Sequence, residues 1–352
     1  MAKNYLTVRN TKRNHFLAQK ENLNFALNKK LYFDIYSSQY MPWIKKGVIY
    51  KPEGNLPHSR THAQAPFAIE MDGSLRIYFS SRDEKVQTRP TFIEVDPEDL
   101  SRVIYIHSKP VMDVGLPGEC DETGVMPSWF VKRPNGEIWL YYTGWNKVPN
   151  TYRLSIGLAV SDDGGLTFKK MFRGPVLDRN IHDPIWAAMP SVMVEDDGSW
   201  KMWYISCQKW EFIHGIPEPY YRCHSAISQD GIHWEVNKTP AIEFDEFLDA
   251  VGRPSVIKED GIYKMYYSYR NALDYRTDPK YSYRLGYAES TDGINWVRKD
   301  HLVGIARSEN PEDFDYQMMN YAHYYPMGNK KYLFYNGNGF GKSGFGYAIW
   351  EE

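Results

Sequence analysis

One pattern recurs five times along this chain and limits its fold more than any other feature. Each copy holds a proline, a short apolar run, a two-residue turn and an aromatic-rich run. The copies read APFAIEMDGSLRIYFSSR, MPSWFVKRPNGEIWLYYTGW, MPSVMVEDDGSWKMWYISC, RPSVIKEDGIYKMYYSYR and YPMGNKKYLFYNGNG. Their prolines, Pro66, Pro127, Pro190, Pro254 and Pro326, stand 61, 63, 64 and 72 residues apart. The turns Asp72-Gly73, Asn135-Gly136, Asp197-Gly198, Asp260-Gly261 and Gly328-Asn329 supply the positive-φ residues of a tight hairpin. Alternation in runs such as LRIYFSS and YKMYYSY identifies strands rather than helices.

A second turn follows in three copies: SDDGGLTF from Ser161, SQDGIHW from Ser228 and STDGINW from Ser290. Each leads into an outer strand, FKKMFRGPVL, WEVNKTPAI or WVRKDHLVGI. Four strands in each repeat of about 60 residues make a propeller blade. The segment WIKKGVIYKP from Trp43 has outer-strand character but precedes the first repeat, and the last repeat ends at GYAIWEE without such a strand. The expectation is an all-β, five-bladed β-propeller of four-stranded antiparallel blades over residues 41–352. An N-terminal strand closes the last blade and so removes free sheet edges. Residues 1–40 are expected outside the ring as an N-terminal arm, one use of which is a homo-oligomer contact.

Composition excludes several partners. Lys and Arg total 42 against 44 Asp and Glu, a formal charge of −2, so nothing attracts nucleic acid or an anionic membrane. No run of 18 apolar residues is present, and the basic N-terminus lacks the apolar centre of a secretory signal. Three cysteines without close spacing argue against a disulfide framework and set the expectation of a cytoplasmic protein. No Cys/His cluster has zinc spacing, so neither metal nor cofactor is expected. The glycine-rich GNGFGKSGFG near Gly337 joins two strands rather than a strand and a helix, so it is not read as a phosphate loop.

In such a ring the loops entering the first strand of each blade rim the central mouth. They read SRTHAQAP, GECDETGVMP, NIHDPIWAAMP, DEFLDAVGRP and RSENPEDFDYQMMNYAHYYP. Arg60, His62 and Gln64 alternate, which places them on one face. With Trp186, Arg253, Asn320 and Tyr321 they are candidates to bind a polyhydroxylated ligand, because convergent polar and aromatic groups suit one. Asp121, Glu122, Asp183 and Asp249 are the catalytic candidates. Glycosidic hydrolysis needs two carboxyl groups, one to protonate the leaving oxygen and one to activate water or attack the sugar. Arg82, Trp145, Asn146, Tyr269 and Arg270, at the far ends of second strands, read first as blade packing.

The repeats PSWFVKRPNGEIWLYYTGW, PSVMVEDDGSWKMWYIS and RPSVIKEDGIYKMYYSYR, each followed by a strand and then S-x-D-G, resemble the five-bladed propeller glycosidases. That group comprises glycoside hydrolase family 43 and its relatives, including the invertase/levansucrase families 32 and 68 and the mannoside phosphorylases of family 130. The resemblance implies a glycoside hydrolase-like enzyme acting on a glycoside or a sugar-containing small molecule. The chain departs from the family 43 pattern at the usual acid positions, which hold Ala65, Met126 and the stretch Ala187, Ala188 and Met189. A non-catalytic carbohydrate-binding propeller, a phosphorylase or transferase using the same pocket, and a protein-interaction platform are the alternatives.

Overall fold

The computed structural model describes residues 42–244 and 250–351. The expected arm and the candidate Asp249 lie outside the described residues.

The chain opens with β1 (Trp43–Tyr50) and then forms strand groups in sequence order. The first is β2 (Thr61–Met71), β3 (Ser74–Arg82), β4 (Thr88–Val95) and β5 (Val103–Ile106). The second is β6 (Gly124–Lys132), β7 (Ile138–Val148), β8 (Thr151–Ser161) and β9 (Lys169–Lys170). The third is β10 (Trp186–Val194), β11 (Trp200–Ile213), β12 (Ile216–Ser228) and β13 (Glu235–Val236). The fourth is β14 (Ala250–Glu259), β15 (Ile262–Arg270), β16 (Arg284–Ser290) and β17 (Val297–Arg298). The last is β18 (Asn320–Met327), β19 (Lys330–Asn336) and β20 (Phe345–Trp350), with the one-turn helix α1 (Asn338–Gly341) between its final two strands. Within each group the strands pair antiparallel in order. β1 completes the last group by pairing with β20, from Trp43↔Trp350 to Tyr50↔Phe345, as the segment at Trp43 led one to expect.

Local chemistry explains the hairpins. Gly73, Gly136, Gly198, Gly261 and Gly328 all take positive φ at the expected turns. The outer strands are shorter than their sequences suggest. Pairing in β9, β13 and β17 covers two residues each; after β9 and β13 the chain passes Pro175 and Pro240, which have no N–H to donate, before bridging back at Leu177 and Ile242. The S-x-D-G turns fasten one group to the next. The Tyr78 hydroxyl donates to the Gly165 carbonyl at 2.8 Å, Tyr141 to that of Gly231 at 2.6 Å, and the Trp203 indole to that of Gly293 at 2.7 Å.

The first strand of each later group is stitched to the preceding group by side chain–backbone bonds. The Met189 N–H donates to Thr143 Oγ1 (2.8 Å), Val256 to Ser191 Oγ (3.1 Å) and Tyr324 to Ser255 Oγ (3.0 Å). The Ala65 N–H donates to Asn336 Oδ1 at 2.8 Å, which ties the last group back to the first.

The fifth repeat is aligned differently from the sequence reading. Register shifts in β2, β6, β10 and β14 fall at or beside the repeat proline, and the shift in β18 falls between Asn320 and His323. Ala322, not Pro326, is therefore the counterpart of Pro254. The preceding residues share left-handed φ: Ala65 +54°, Met189 +52°, Arg253 +53° and Tyr321 +55°. Such angles are costly for residues other than glycine and mark a recurring bulge at the start of the first strands.

Candidate functional site

The bulges bring residues from different groups together. Ala65, Met126, Met189 and Tyr321 join one apolar cluster with Trp186, Tyr221, Trp145, Tyr152 and Trp210. Arg253 lies beneath it, 3% exposed, with its guanidinium donating to the Ala322, Tyr321 and Pro66 carbonyls. Aromatic rings build a cup around this point. Tyr152 packs against Trp145 (4.9 Å between centroids), Trp210 (5.0 Å) and Trp186 (6.1 Å), and Trp186 against Tyr221 (5.6 Å). The Tyr221 hydroxyl meets that of Tyr283, and the Arg270 Nε donates to the latter at 3.0 Å. Arg270 also stacks over Tyr275 at 4.1 Å. Behind it, Glu218 accepts from the Tyr275 hydroxyl (2.8 Å) and Arg276 (2.6 Å).

Among the described residues, the charges acting on the groups around the cup come from arginine, lysine and tyrosine. Tyr152 and Tyr321 are only half-buried, yet desolvation raises both phenols far above their ordinary range. Burial, then the nearby charges of Arg82 and Lys342, bring His62 down to about 4. Burial lowers the Arg82 guanidinium, and it lowers Arg253 to about 10.

The predicted residues divide sharply. Tyr321 belongs to the aromatic cluster of the cup, and His62 lies near the charges of Arg82 and Lys342. Trp186 is 1% exposed and serves as its floor, packed between Tyr152 and Tyr221 rather than presenting a face to ligand. Arg253 holds backbone carbonyls. Gln64 and Asn320 are buried at 3% and 2%, and the Asn320 Oδ1 accepts from the Tyr321 N–H. Arg60 pairs with Glu84 and the Gly54 carbonyl.

Asp121 and Asp183 are not brought together. Each sits inside its own group, at 1% and 0% exposure. Asp183 Oδ2 accepts from the Tyr204 hydroxyl at 2.8 Å and from Asn180 Nδ2 at 2.6 Å, and its Oδ1 lies 3.4 Å from His224 Nδ1. Asp121 bonds to Tyr142 and pairs with Lys170 at 2.7 Å. The same arrangement recurs where Tyr267 bonds Asp300, itself held by Arg298, and where Tyr335 lies 3.4 Å from Asp315, itself held by Lys45 at 2.6 Å. These tyrosines stand across from Gly157, His224, Gly286 and Gly346 on the third strands. The recurrence describes a fastening inside each group, occupied in two cases by predicted catalytic residues.

Glu122 lines a separate cavity of about 600 Å³, with Glu119, Asn146, Arg153, Arg173 and Asp178 around it. Its carboxylate accepts from Asn146 Nδ2 at 2.9 Å and from the Gly118 N–H at 2.6 Å.

Sequence reasoning missed Tyr152, Tyr221, Tyr283 and Lys342 and placed Arg82 and Arg270 in packing. A signal was present: Tyr152-Arg153, Tyr221-Arg222 and Tyr283-Arg284 repeat near the starts of third strands. Tyr152 sits two register positions earlier than the other two, which blurs the repeat.

No family model matches the chain. The Mycobacterium tuberculosis "Uncharacterized protein Rv1502" and "Uncharacterized protein MT1551" are each 32% identical to it over 317 residues, covering 89% of this chain and 100% of theirs. Among solved structures, a "Glycoside hydrolase" superposes with a TM-score of 0.68 at 17% identity, covering 91% of this chain and 94% of its own. A "thermostable family-43 glycoside hydrolase" gives 0.57 at 18%, covering 85% and 91%. A structure from a study of "the GH130 family of mannoside phosphorylases" gives 0.63 at 15%, covering 89% and 95%. At these identities the likeness establishes the fold, that of the propeller glycosidase group, and not the reaction.

Proposed function

We propose that this chain, which belongs to the family of the Mycobacterium tuberculosis proteins Rv1502 and MT1551, is a five-bladed propeller that takes a glycoside or a sugar-containing small molecule in its cup. The five-bladed reading is supported by strand groups that pair in order and by the Asn336–Ala65 bond that returns from the last to the first. The observation that carries the sugar reading is the cup itself. Tyr152, Tyr221, Tyr283 and Tyr321 surround a point flanked by Arg82 and Arg270, on a fold shared with glycoside hydrolases. Apolar ring faces cover the C–H faces of a sugar, and phenol and guanidinium groups bond its oxygens. The unpaired thiols of Cys120, Cys207 and Cys223 support a reducing compartment.

Of the four sequence candidates, Asp121 and Asp183 already bond tyrosine, and Glu122 lines a separate cavity rather than the cup, so Asp249 is the first to test for hydrolysis. One carboxyl group protonates the departing glycosidic oxygen as the other activates water. The purified full chain should be tested on aryl-glycosides and oligosaccharides, with and without phosphate, beside Glu122→Gln and Asp249→Asn. Turnover lost in either variant and indifferent to phosphate supports the hydrolase. Phosphate-dependent turnover replaces it with a phosphorylase. Sugar binding without product, which the fastened state of Asp121 and Asp183 favours over a conventional triad, replaces it with a binding protein.

A further inference from the structure

Donors outnumber acceptors in the cup. The Arg82 guanidinium and the Lys342 ammonium have no hydrogen bond or ion pair among the described residues. Arg270 Nη1, Trp186 Nε1 and Trp145 Nε1 are buried with no hydrogen-bond partner among the described residues, and Arg270 and Trp186 are each 1% exposed as residues. All five groups can donate and none can accept. A buried donor without an acceptor loses its hydration for no return, so a set of them marks a place where an acceptor-rich group docks. The charges that move His62, Arg82, Arg253 and Tyr321 come from arginine, lysine and tyrosine, with no carboxylate among them. Glu218 lies 3.7 Å from Arg270 Nη2, and Arg276 and Tyr275 also occupy its oxygens.

The glycine-rich turn that the sequence offers no use for closes this arrangement. Phe340 packs edge-on against Tyr283 at 5.6 Å, across the cup from β2. At Gly341, with φ of +87°, the backbone comes so near the Ala63 carbonyl that a Cβ would overlap it. The turn therefore runs from the Tyr283 side to β2 and delivers Lys342 beside His62. Arg82 reaches the same place from β3, where its backbone pairs with Thr61.

We propose that the cup selects an anionic sugar, one bearing a carboxylate or a phosphate ester, with Arg82 and Lys342 holding the anion. This rests on the sugar-handling reading above and narrows its substrate class. The planar guanidinium offers two parallel N–H groups to an oxyanion, and the ammonium adds a compact charge. His62, held neutral near pH 7, supplies a hydrogen bond rather than a third charge. The phenols of Tyr152 and Tyr321 have no side-chain hydrogen bond among the described residues and remain for ring hydroxyls.

The test is calorimetry and ligand-observed NMR on the full chain. The probes are glucose and mannose, each beside its uronate and its 6-phosphate, and inorganic phosphate alone. At least one charged sugar should bind about tenfold tighter than its neutral parent, or more. Arg82→Gln and Lys342→Gln should each erase most of that preference, read as the ratio of charged to neutral affinity, while leaving the thermal transition unchanged. Equal binding of neutral and charged sugars overturns the anion assignment and leaves the sugar reading standing. Inorganic phosphate binding as tightly as the sugar phosphates, and lost in Arg82→Gln, overturns the placement of the anion on the sugar. A charged-sugar preference that survives both substitutions, or no binding of any probe, also overturns it.

Discussion

Asp183→Ala should destabilise the chain severely, because the carboxylate is a structural fastening. Its Oδ2 accepts from Asn180 Nδ2 at 2.6 Å and from the Tyr204 hydroxyl at 2.8 Å, in a site of 0% exposure. Alanine leaves the buried Tyr204 hydroxyl without an acceptor, at about 1–3 kcal/mol, whereas the half-buried Asn180 Nδ2 keeps the Asp178 carbonyl and loses less. With the lost carboxylate the expected total is about 2–4 kcal/mol, and Asp183→Asn, which keeps one acceptor oxygen in place, should lose about half of that. Urea unfolding reads this as a lower midpoint at unchanged slope. On heating, the Ala variant should melt about 10 °C earlier, given roughly 2–4 °C per kcal/mol for chains of this order of size. Pairing it with Tyr204→Phe should give strong non-additivity, about 1 kcal/mol or more, because both changes break one bond. A loss under about 1 kcal/mol in Asp183→Ala would refute the fastening role. So would an Asp183→Asn protein of full stability whose turnover had vanished, since that result returns Asp183 to catalysis.

Three further outcomes follow from the same geometry. Burial holds His224 at about 4, against 6.5 for an ordinary histidine, so the unfolded chain takes up the proton first as pH falls. Stability should be flat above about pH 6.5 and fall toward pH 4 by about 3 kcal/mol from this residue, and His224→Gln should flatten the denaturation midpoints over that window. Lys45→Met leaves the Asp315 carboxylate, 1% exposed, without its cation, and should cost about 3 kcal/mol or more in urea unfolding, because β1 closes the last group through that pair. Gly157→Ala drives a methyl into the Tyr142 ring that lies across from it, and should cost about 1–3 kcal/mol while leaving the far-ultraviolet spectrum of the folded state unchanged.

The fivefold strand pattern was legible because its signals are local. An Asp-Gly or Asn-Gly turn and alternating side chains act through near neighbours, whatever the rest of the chain does. The closing role of the segment at Trp43 was legible for a related reason: one outer strand was surplus at the start and one was missing at the end. Within the fifth repeat the local signal misled. Pro326 carries the expected ring, but the bulge sits at Tyr321-Ala322, where the Tyr321 N–H finds Ser268 Oγ on the neighbouring group.

The site was less legible. The acids of the entry loops were visible as residue types, but their direction depended on the strand opposite. Tyr142 reaches Asp121 across Gly157, and Tyr204 reaches Asp183 beside His224, and nothing in either loop encodes that. The cup draws Arg82, Tyr152, Arg270, Tyr283, Tyr321 and Lys342 from widely separated segments. By itself the sequence determined the strands, their turns and the absence of a strong charge bias, all of which follow from local backbone preference and composition. Only the tertiary structure decided which acids are fastened and which cations are left without partners, because pairing between charges depends on distances that folding sets across hundreds of residues.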